Sequence, residues 1–176
     1  IVKTLPYDRA NTTMSHLHMC EHCKKEYNDP LDIRHFSQTN SCPDCAIQMN
    51  MYSGNHFCVS NNTEDILSRI QNSLKDGKII AIKGIGGYLL LCDATSETAV
   101  NELRKRKHRK SKPFAVLYPS LDMMEKDLSI SEDEELLLCD KASPIVLCTQ
   151  RDKMPSGLCA SAVAPNLNTI GAMLPY

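Results

Sequence analysis

The sequence predicts an α/β (α+β) chain in two parts, a small C4 zinc-finger module followed by a mixed domain of strands and flanking helices. Three observations carry that prediction. Two Cys-x-x-Cys pairs, Cys20 with Cys23 and Cys42 with Cys45, are separated by eighteen residues. A polar stretch rich in Asn and Ser follows them. From Thr63 onward, segments of helical periodicity alternate with short β-branched runs, the pattern of an α/β domain. The boundaries read as a module over 1–50, a linker over 51–62 and a domain over 63–176.

The cysteine spacing is what a closed metal knot needs. Two knuckles at this distance fold back on each other and present four thiolates, from Cys20, Cys23, Cys42 and Cys45, at the corners of a tetrahedron. Between the pairs only Tyr27, Leu31, Ile33 and Phe36 are core candidates, too few for a self-sufficient core. A bound Zn2+ supplies the difference, since structural zinc is worth roughly 10 kcal/mol or more near neutral pH and most of that becomes folding energy. Disulfides and redox-active pairs are the competing readings, and two pairs at finger spacing fit the metal pattern better than either. With four cysteines in place, His16, His18, His22 and His35 are not needed as ligands and are expected on a solvated surface. No coordination position stays open, so this zinc is structural.

With 176 residues and a formal net charge of −1, the chain suits one domain, or a small module plus part of a larger one. The balance of charge excludes both an overall basic field and an acidic, disordered chain. Nine cysteines without a signal peptide ahead of them are expected in a reducing cytoplasm. Cys58, Cys92, Cys139, Cys148 and Cys159 fall mostly in apolar runs, where free cysteine behaves as a small buried hydrophobe. None has the neighbouring base or cation of a catalytic thiol. No apolar run reaches the roughly 20 residues of a membrane span.

Along the chain, the apolar opening at Ile1 has no cap or turn before it and reads as the continuation of a preceding segment. Ile66, Leu67, Ile70 and Leu74 form one stripe of a helix over 63–75, with Asn62 or Thr63 as cap and Gly77 as stop. Residues 78–82 and 88–92 read as buried strands. Thr95 is the expected cap of a helix through Ala99, Val100 and Leu103 that runs into a basic stretch and is broken by Pro113. Strands are expected over 114–118, 144–148 and 169–174, and Ser131 with Glu134 has the capping-box arrangement. The end at Tyr176 follows an apolar run directly and also reads as a cut.

Two stretches have residues suited to chemistry. Lys83-Gly-Ile-Gly-Gly87 sets three glycines, Gly84, Gly86 and Gly87, beside a cation between two strands. Glycines let backbone N–H groups turn toward an anion, and a tight turn without a ligand explains them equally well. It is neither a Walker loop nor a dinucleotide fingerprint. The second stretch, Arg104-Lys-Arg-Lys-His-Arg-Lys-Ser-Lys112, holds seven cations in nine residues. It fits a solvated helix end, a polyphosphate site or an RNA-binding surface.

The order KIIAIKGIGGYLLLCD, LRKRKHRKSKPFAVLY, SPIVL and VAPNLNTIGAMLPY resembles the YrdC-like domain of the HypF family of carbamoyltransferases, which mature [NiFe] hydrogenases. LPYDRANTTM, CEHCKKEYNDPLD and CPDC resemble the second of the two zinc fingers that precede that domain. The resemblance covers nearly the whole chain. It implies a twisted mixed sheet with flanking helices, a start just after the first finger and a stop partway through the YrdC-like domain, ahead of its Ser-x-Asn motif.

It further implies an ATP-dependent relay, in which carbamate from carbamoyl phosphate is joined to AMP and the carbamoyl group passes to the C-terminal cysteine of the partner HypE. Lys107 and Arg109 match a Lys-x-Arg pair that grips nucleotide phosphates, and are the expected catalytic pair. Lys83, Gly84, Gly86, Gly87 and Tyr88 would line the same ATP pocket, with Mg2+ bridging the phosphates. In that arrangement Arg104, Lys105, Lys110 and Lys112 face solvent or the domain surface. The chain departs from the family at Leu89, where a histidine is usual, at Arg34-His35-Phe36 for Arg-Phe-His, and at Ala46-Ile47 for Gly-Pro. Because the wider YrdC family includes proteins that bind double-stranded RNA, an RNA-binding module with a structural finger is the alternative function.

Overall fold

The structure, a computed structural model, describes residues 1–54, 57–84 and 86–175. Ile85 of the glycine stretch and Tyr176 lie outside the described residues. The chain divides into two compact units, Ile1–Ile66 and Leu67–Tyr176.

In the first unit regular structure is sparse, as a chain short of apolar residues requires. Helix α1 (Glu21–Asn28) buries only Cys23 and Tyr27, one turn apart on its inner stripe. Strands β1 (Met51–Tyr52) and β2 (Cys58–Ser60) form a short antiparallel ribbon. The expected apolar core is smaller than the sequence suggested. Tyr27 is buried and meets Phe36 edge-on at 5.5 Å, but Leu31 and Ile33 are 95% and 94% exposed. They sit in a run of turns pinned by Asp29 and Asp32, whose carboxylates accept from the Leu31 and Arg34 backbone N–H groups.

What replaces the missing core is a buried cation. Arg9 donates through Nη1 to the carbonyls of Gln38 and Asn40 at 2.7 and 2.9 Å, and through Nη2 to that of Leu17 at 2.9 Å. One guanidinium therefore ties together the segments that lead into both cysteine pairs. Asp8 caps the 3-10 turn Arg9–Asn11 and accepts from the Tyr27 hydroxyl.

Helix α2 (Thr63–Lys75) starts at Asn62, whose side chain accepts from the Asp65 N–H, so Asn62 and not Thr63 supplies the cap. It ends in a Schellman motif: Gly77 at φ +71 donates to Leu74 and Lys78 donates to Ser73. Ile66 is fully buried, whereas Leu67 on the expected stripe is exposed.

In the second unit the predicted strands at 78–82 and 88–92 appear as β3 (Ile80–Gly84) and β4 (Gly87–Leu91), paired among the described residues only with each other. They are not buried strands: neither contains a fully buried residue, and Tyr88, Leu89 and Leu90 are exposed. Helix α3 (Glu97–Arg106) is capped by Ser96, which accepts from the Ala99 N–H, rather than by Thr95, whose hydroxyl donates to Asp93. It stops well before Pro113, because His108 adopts φ +48 and turns the chain.

The core lies on one face of a mixed sheet ordered β5 (Ala115–Leu117), β8 (Thr169–Met173), β7 (Val146–Gln150), β6 (Leu128–Ser129). β5 and β8 are parallel and the other pairs antiparallel. Val116, Val146, Cys148, Ile170 and Ala172 point to the buried face at strand period, and Leu117 and Leu147 to the exposed one. Helices α4 (Leu121–Asp127), α5 (Glu132–Leu138) and α6 (Ala160–Val163) supply Met124, Leu138 and Val163 to the same core. Ser131 and Glu134 form the predicted capping box at α5. A buried carboxylate was not foreseen: Asp127 accepts from the Tyr118 hydroxyl at 3.1 Å, the Ser156 N–H at 3.1 Å and the Ser156 hydroxyl. Of the five other cysteines only Cys148 is fully buried, while Cys58 and Cys139 are exposed.

Candidate functional site

Cys20 stands at the start of α1 and Cys23 in its first turn, while Cys42 and Cys45 bracket a tight turn in which the Cys45 and Ala46 N–H groups donate to the Cys42 carbonyl. The four sulfurs converge within 4.8 Å of one another. Sγ separations are 3.5 Å for Cys20 and Cys42, 3.6 Å for Cys23 and Cys45, and 3.9 Å for Cys42 and Cys45. A tetrahedron with zinc–sulfur bonds of about 2.3 Å has edges of about 3.8 Å, so this donor set fits zinc. Backbone N–H groups of Cys20 and Cys42 hold the Cys45 thiol down at about 6, while burial pushes that of Cys23 up. A cation between them removes the conflict by making all four thiolates.

The knot has supports of its own. Asn40 donates to the Cys23 carbonyl at 3.1 Å and to Glu26 at 3.2 Å. Glu26 also faces His22 and Arg34, each at 3.5 Å. His22 is thus a surface residue as expected. His35 is not fully solvated: its ring lies 4.1 Å from that of Phe36, and Nδ1 is buried.

On the β3–β4 hairpin the register pairs Lys83 with Tyr88 and Gly84 with Gly87. The Lys83 ammonium sits 5.2 Å above the Tyr88 ring, a cation–π contact on a side chain that is 73% exposed. Gly87, at φ +141, adopts a backbone that only glycine takes without strain. No atom lies within 4 Å of a Cβ added at Gly86 or Gly87, so packing demands neither glycine.

The basic stretch folds into a defined turn and not a uniformly charged face. Lys107 caps α3, His108 follows with φ +48, and the N–H groups of His108 and Arg109 close a second Schellman motif onto the Lys105 and Arg104 carbonyls. Arg104, expected at the surface, is only 8% exposed. Its Nε and Nη2 donate to the Ala162 and Val163 carbonyls at 2.6 and 2.8 Å, and its Nη1 to those of Arg109 and Lys112 at 3.2 and 3.1 Å. Arg109 is half-buried, with Nε donating to the Lys112 carbonyl at 3.1 Å and its guanidinium 4.8 Å from the Phe114 ring. Its two Nη groups and the Lys107 ammonium have no hydrogen-bond partner among the described residues. Burial, and then the Arg109 charge, pull Arg104 below its usual range.

Residues 72–176 match the family profile described as Telomere recombination, that of Sua5, YciO and YrdC, and residues 19–52 match the profile of the HypF finger. The carbamoyltransferase HypF of Rhodobacter capsulatus is 40% identical over 176 residues, all of this chain and 22% of the relative. The chain belongs to the Sua5/YciO/YrdC family, in its HypF form. The crystal structure of full-length HypF in its phosphate- and nucleotide-bound form superposes with a TM-score of 0.78, at 40% identity over all of this chain and 22% of that one. HypF of T. kodakarensis gives a TM-score of 0.83, at 38% identity over 99% of this chain and 22% of that one. The chain thus spans about a fifth of the length of these HypF proteins.

Within this HypF-type chain the predicted site residues form three groups. The four cysteines are brought together, Lys83 is brought to Tyr88, and Lys107 and Arg109 share one turn. No hydrogen bond, ion pair or ring contact joins the second group to the third among the described residues. Arg9, Arg104 and Phe114 were missed as organising residues. Arg104 left a signal, since it follows Val100 by four positions and so lies on the buried stripe of α3. Among the described residues, no helix is long and apolar enough to cross a membrane.

Proposed function

We propose that the chain is the zinc finger and leading part of the nucleotide-handling domain of a HypF-type carbamoyltransferase. In this reading the domain joins carbamate, derived from carbamoyl phosphate, to AMP from ATP, and the parent passes the carbamoyl group to the C-terminal cysteine of HypE. The four cysteines hold a structural Zn2+. The module, linker and domain keep the boundaries 1–50, 51–62 and 63–176, and the protein works in the cytoplasm.

The observation that carries the reading is the turn after α3. Two cations, Lys107 and Arg109, keep donors without partners among the described residues on a backbone fixed by a Schellman motif, in a chain whose whole length aligns with about a fifth of a protein crystallised with phosphate and nucleotide. Attack of a carbamate oxygen on the α-phosphorus, with cleavage of the α–β phosphoanhydride bond and release of pyrophosphate, brings two anions together, so fixed cations aimed at the phosphates lower that barrier. Mg2+ would share the phosphate charge. Lys83, Gly84, Gly86, Gly87 and Tyr88 are assigned to the same pocket, with Tyr88 beside the adenine. The negative end of the α3 dipole points at this turn, which is why the phosphates need cations there and not backbone alone.

The test is carbamate-dependent ATP cleavage by the full-length parent. Lys107→Ala or Arg109→Ala removes a charge-assisted hydrogen bond worth on the order of 1.5 to 3 kcal/mol, a loss of roughly ten- to a hundredfold. Lys105→Ala, Lys110→Ala and Lys112→Ala change little, because exposed charges away from the ligand are screened. An RNA-binding module gives the opposite pattern. Every exposed cation then weakens double-stranded RNA binding alike when removed, the salt slope falls by about one for each phosphate no longer neutralised, and ATP turnover is untouched.

A further inference from the structure

The guanidinium of Arg104 is the one member of the basic stretch that is almost wholly buried, and its hydrogen bonds all go to backbone carbonyls. Its donors reach four backbone carbonyls in two places. Two of them, on Ala162 and Val163, belong to α6, which is packed into the core. The other two, on Arg109 and Lys112, lie at either end of the segment after the Schellman turn. The fork is planar and its donors are fixed relative to one another, so the α6 carbonyls orient the guanidinium and the guanidinium orients the segment. Phe114 adds a second constraint: the guanidinium carbons of Arg104 and Arg109 lie 4.7 and 4.8 Å from its ring. Arg109 is thereby held at its carbonyl by Arg104, at its Nε by Lys112 and at its planar face by Phe114, and only its Nη groups stay free.

We infer that Arg104 is the positioning residue of the anion-binding turn, which fixes Arg109 for a phosphate-bearing ligand without touching that ligand itself. The inference rests on the phosphate role proposed above for Arg109. A lysine in its place keeps the charge but presents a single nitrogen, which cannot serve carbonyls on α6 and on the 109–112 segment together. A positioning role and a merely electrostatic one therefore part at Arg104→Lys. A role in overall stability parts from both through coupling to Arg109, because an effect transmitted through Arg109 vanishes once Arg109 is removed.

Three measurements decide it. Calorimetric ATP binding to the full-length parent should weaken at least tenfold in Arg104→Lys and in Arg109→Ala, and the double variant should bind no more than about twofold worse than Arg109→Ala alone. Wild-type affinity in Arg104→Lys, or losses that multiply in the double variant, overturns the inference. Amide exchange in the 176-residue chain should rise at least tenfold at Arg109, whose N–H is bonded within the turn, in Arg104→Lys while β7 and β8 stay protected. Unchanged exchange at the turn overturns it, with or without ATP binding. If Arg104→Lys fails to fold, side-chain NMR of the wild-type parent decides: added ATP should shift the Arg109 guanidinium signals and leave the Arg104 Nε–H in place, and the reverse overturns the assignment. Unaltered ATP binding in Arg109→Ala, with exchange at the turn still raised in Arg104→Lys, removes the nucleotide reading and leaves Arg104 as the organiser of the turn.

Discussion

Cys23 and Cys45 lie 22 positions apart in sequence, and their Sγ atoms stand 3.6 Å from each other. That separation is an edge of a zinc tetrahedron, and the apolar core of the first unit is too small to hold the two segments at it without the metal. Purified chain should therefore contain about one zinc per molecule. Cys42→Ser, or a strong chelator, should unfold the residues before about 50 and spare the second unit, with a loss on the order of 10 kcal/mol of apparent metal-coupled folding energy. Metal analysis with amide exchange checks this, and a metal-free chain with full protection around Tyr27 contradicts it.

Arg9 should be nearly as important to the finger as a ligand. Arg9→Met leaves the carbonyls of Leu17, Gln38 and Asn40 without their donor. Unsatisfied buried acceptors cost about 1 to 3 kcal/mol each, and the affected segments run directly into Cys20 and Cys42. A competition titration with a chromophoric chelator should show zinc affinity falling by about a hundredfold for a loss near 3 kcal/mol. An unchanged affinity means that the metal alone organises the finger.

The capping box at α5 predicts a pH dependence of known sign. The Ser131 backbone N–H, then its hydroxyl, hold Glu134 below its usual 4.5. A depressed carboxylate stabilises the folded state fully above its unfolded pKa, and that contribution is lost as pH falls through the folded one. Exchange at the first amides of α5 should be slower in wild type than in Glu134→Gln at neutral pH, and the two should converge as pH drops below 4.5. A difference that stays constant through the acid range would falsify the assignment.

Leu89 gives a prediction about the pocket. It pairs with Ile82 on the hairpin and is 51% exposed, so its side chain is not part of the core. Leu89→His should change stability by no more than about 0.5 kcal/mol. By placing a polar group next to Tyr88, it should tighten ATP binding in the full-length protein. Weakened binding at unchanged stability would show that an apolar contact is what the site uses there.

Much of the molecule was legible in the residues themselves because the signals are local. Two Cys-x-x-Cys pairs announce a tetrahedral knot through the fixed spacing of their ligands, while Asn62 and Ser131 announce helix starts and the period of 63–75 announces a helix, since these depend only on neighbours within a turn or two. The identity of the relatives was legible too, through motifs kept in order along the whole chain. The buried arginines were not. A guanidinium reads as a surface charge until one knows that four carbonyls converge on it, and the carbonyls that Arg104 meets on α6 lie 58 and 59 positions away. Leu31 and Ile33 failed in the other direction, because apolar character promises burial only where the chain has a core to offer, and a metal-held finger offers almost none. Sequence by itself determined the metal knot, the caps of α2 and α5, and the family. Only the tertiary structure decided that Arg9 and Arg104 serve as internal struts and that the Lys107 ammonium and the Arg109 Nη groups keep no partner among the described residues, because desolvating a charge depends on where distant backbone groups are brought together and not on the charge itself.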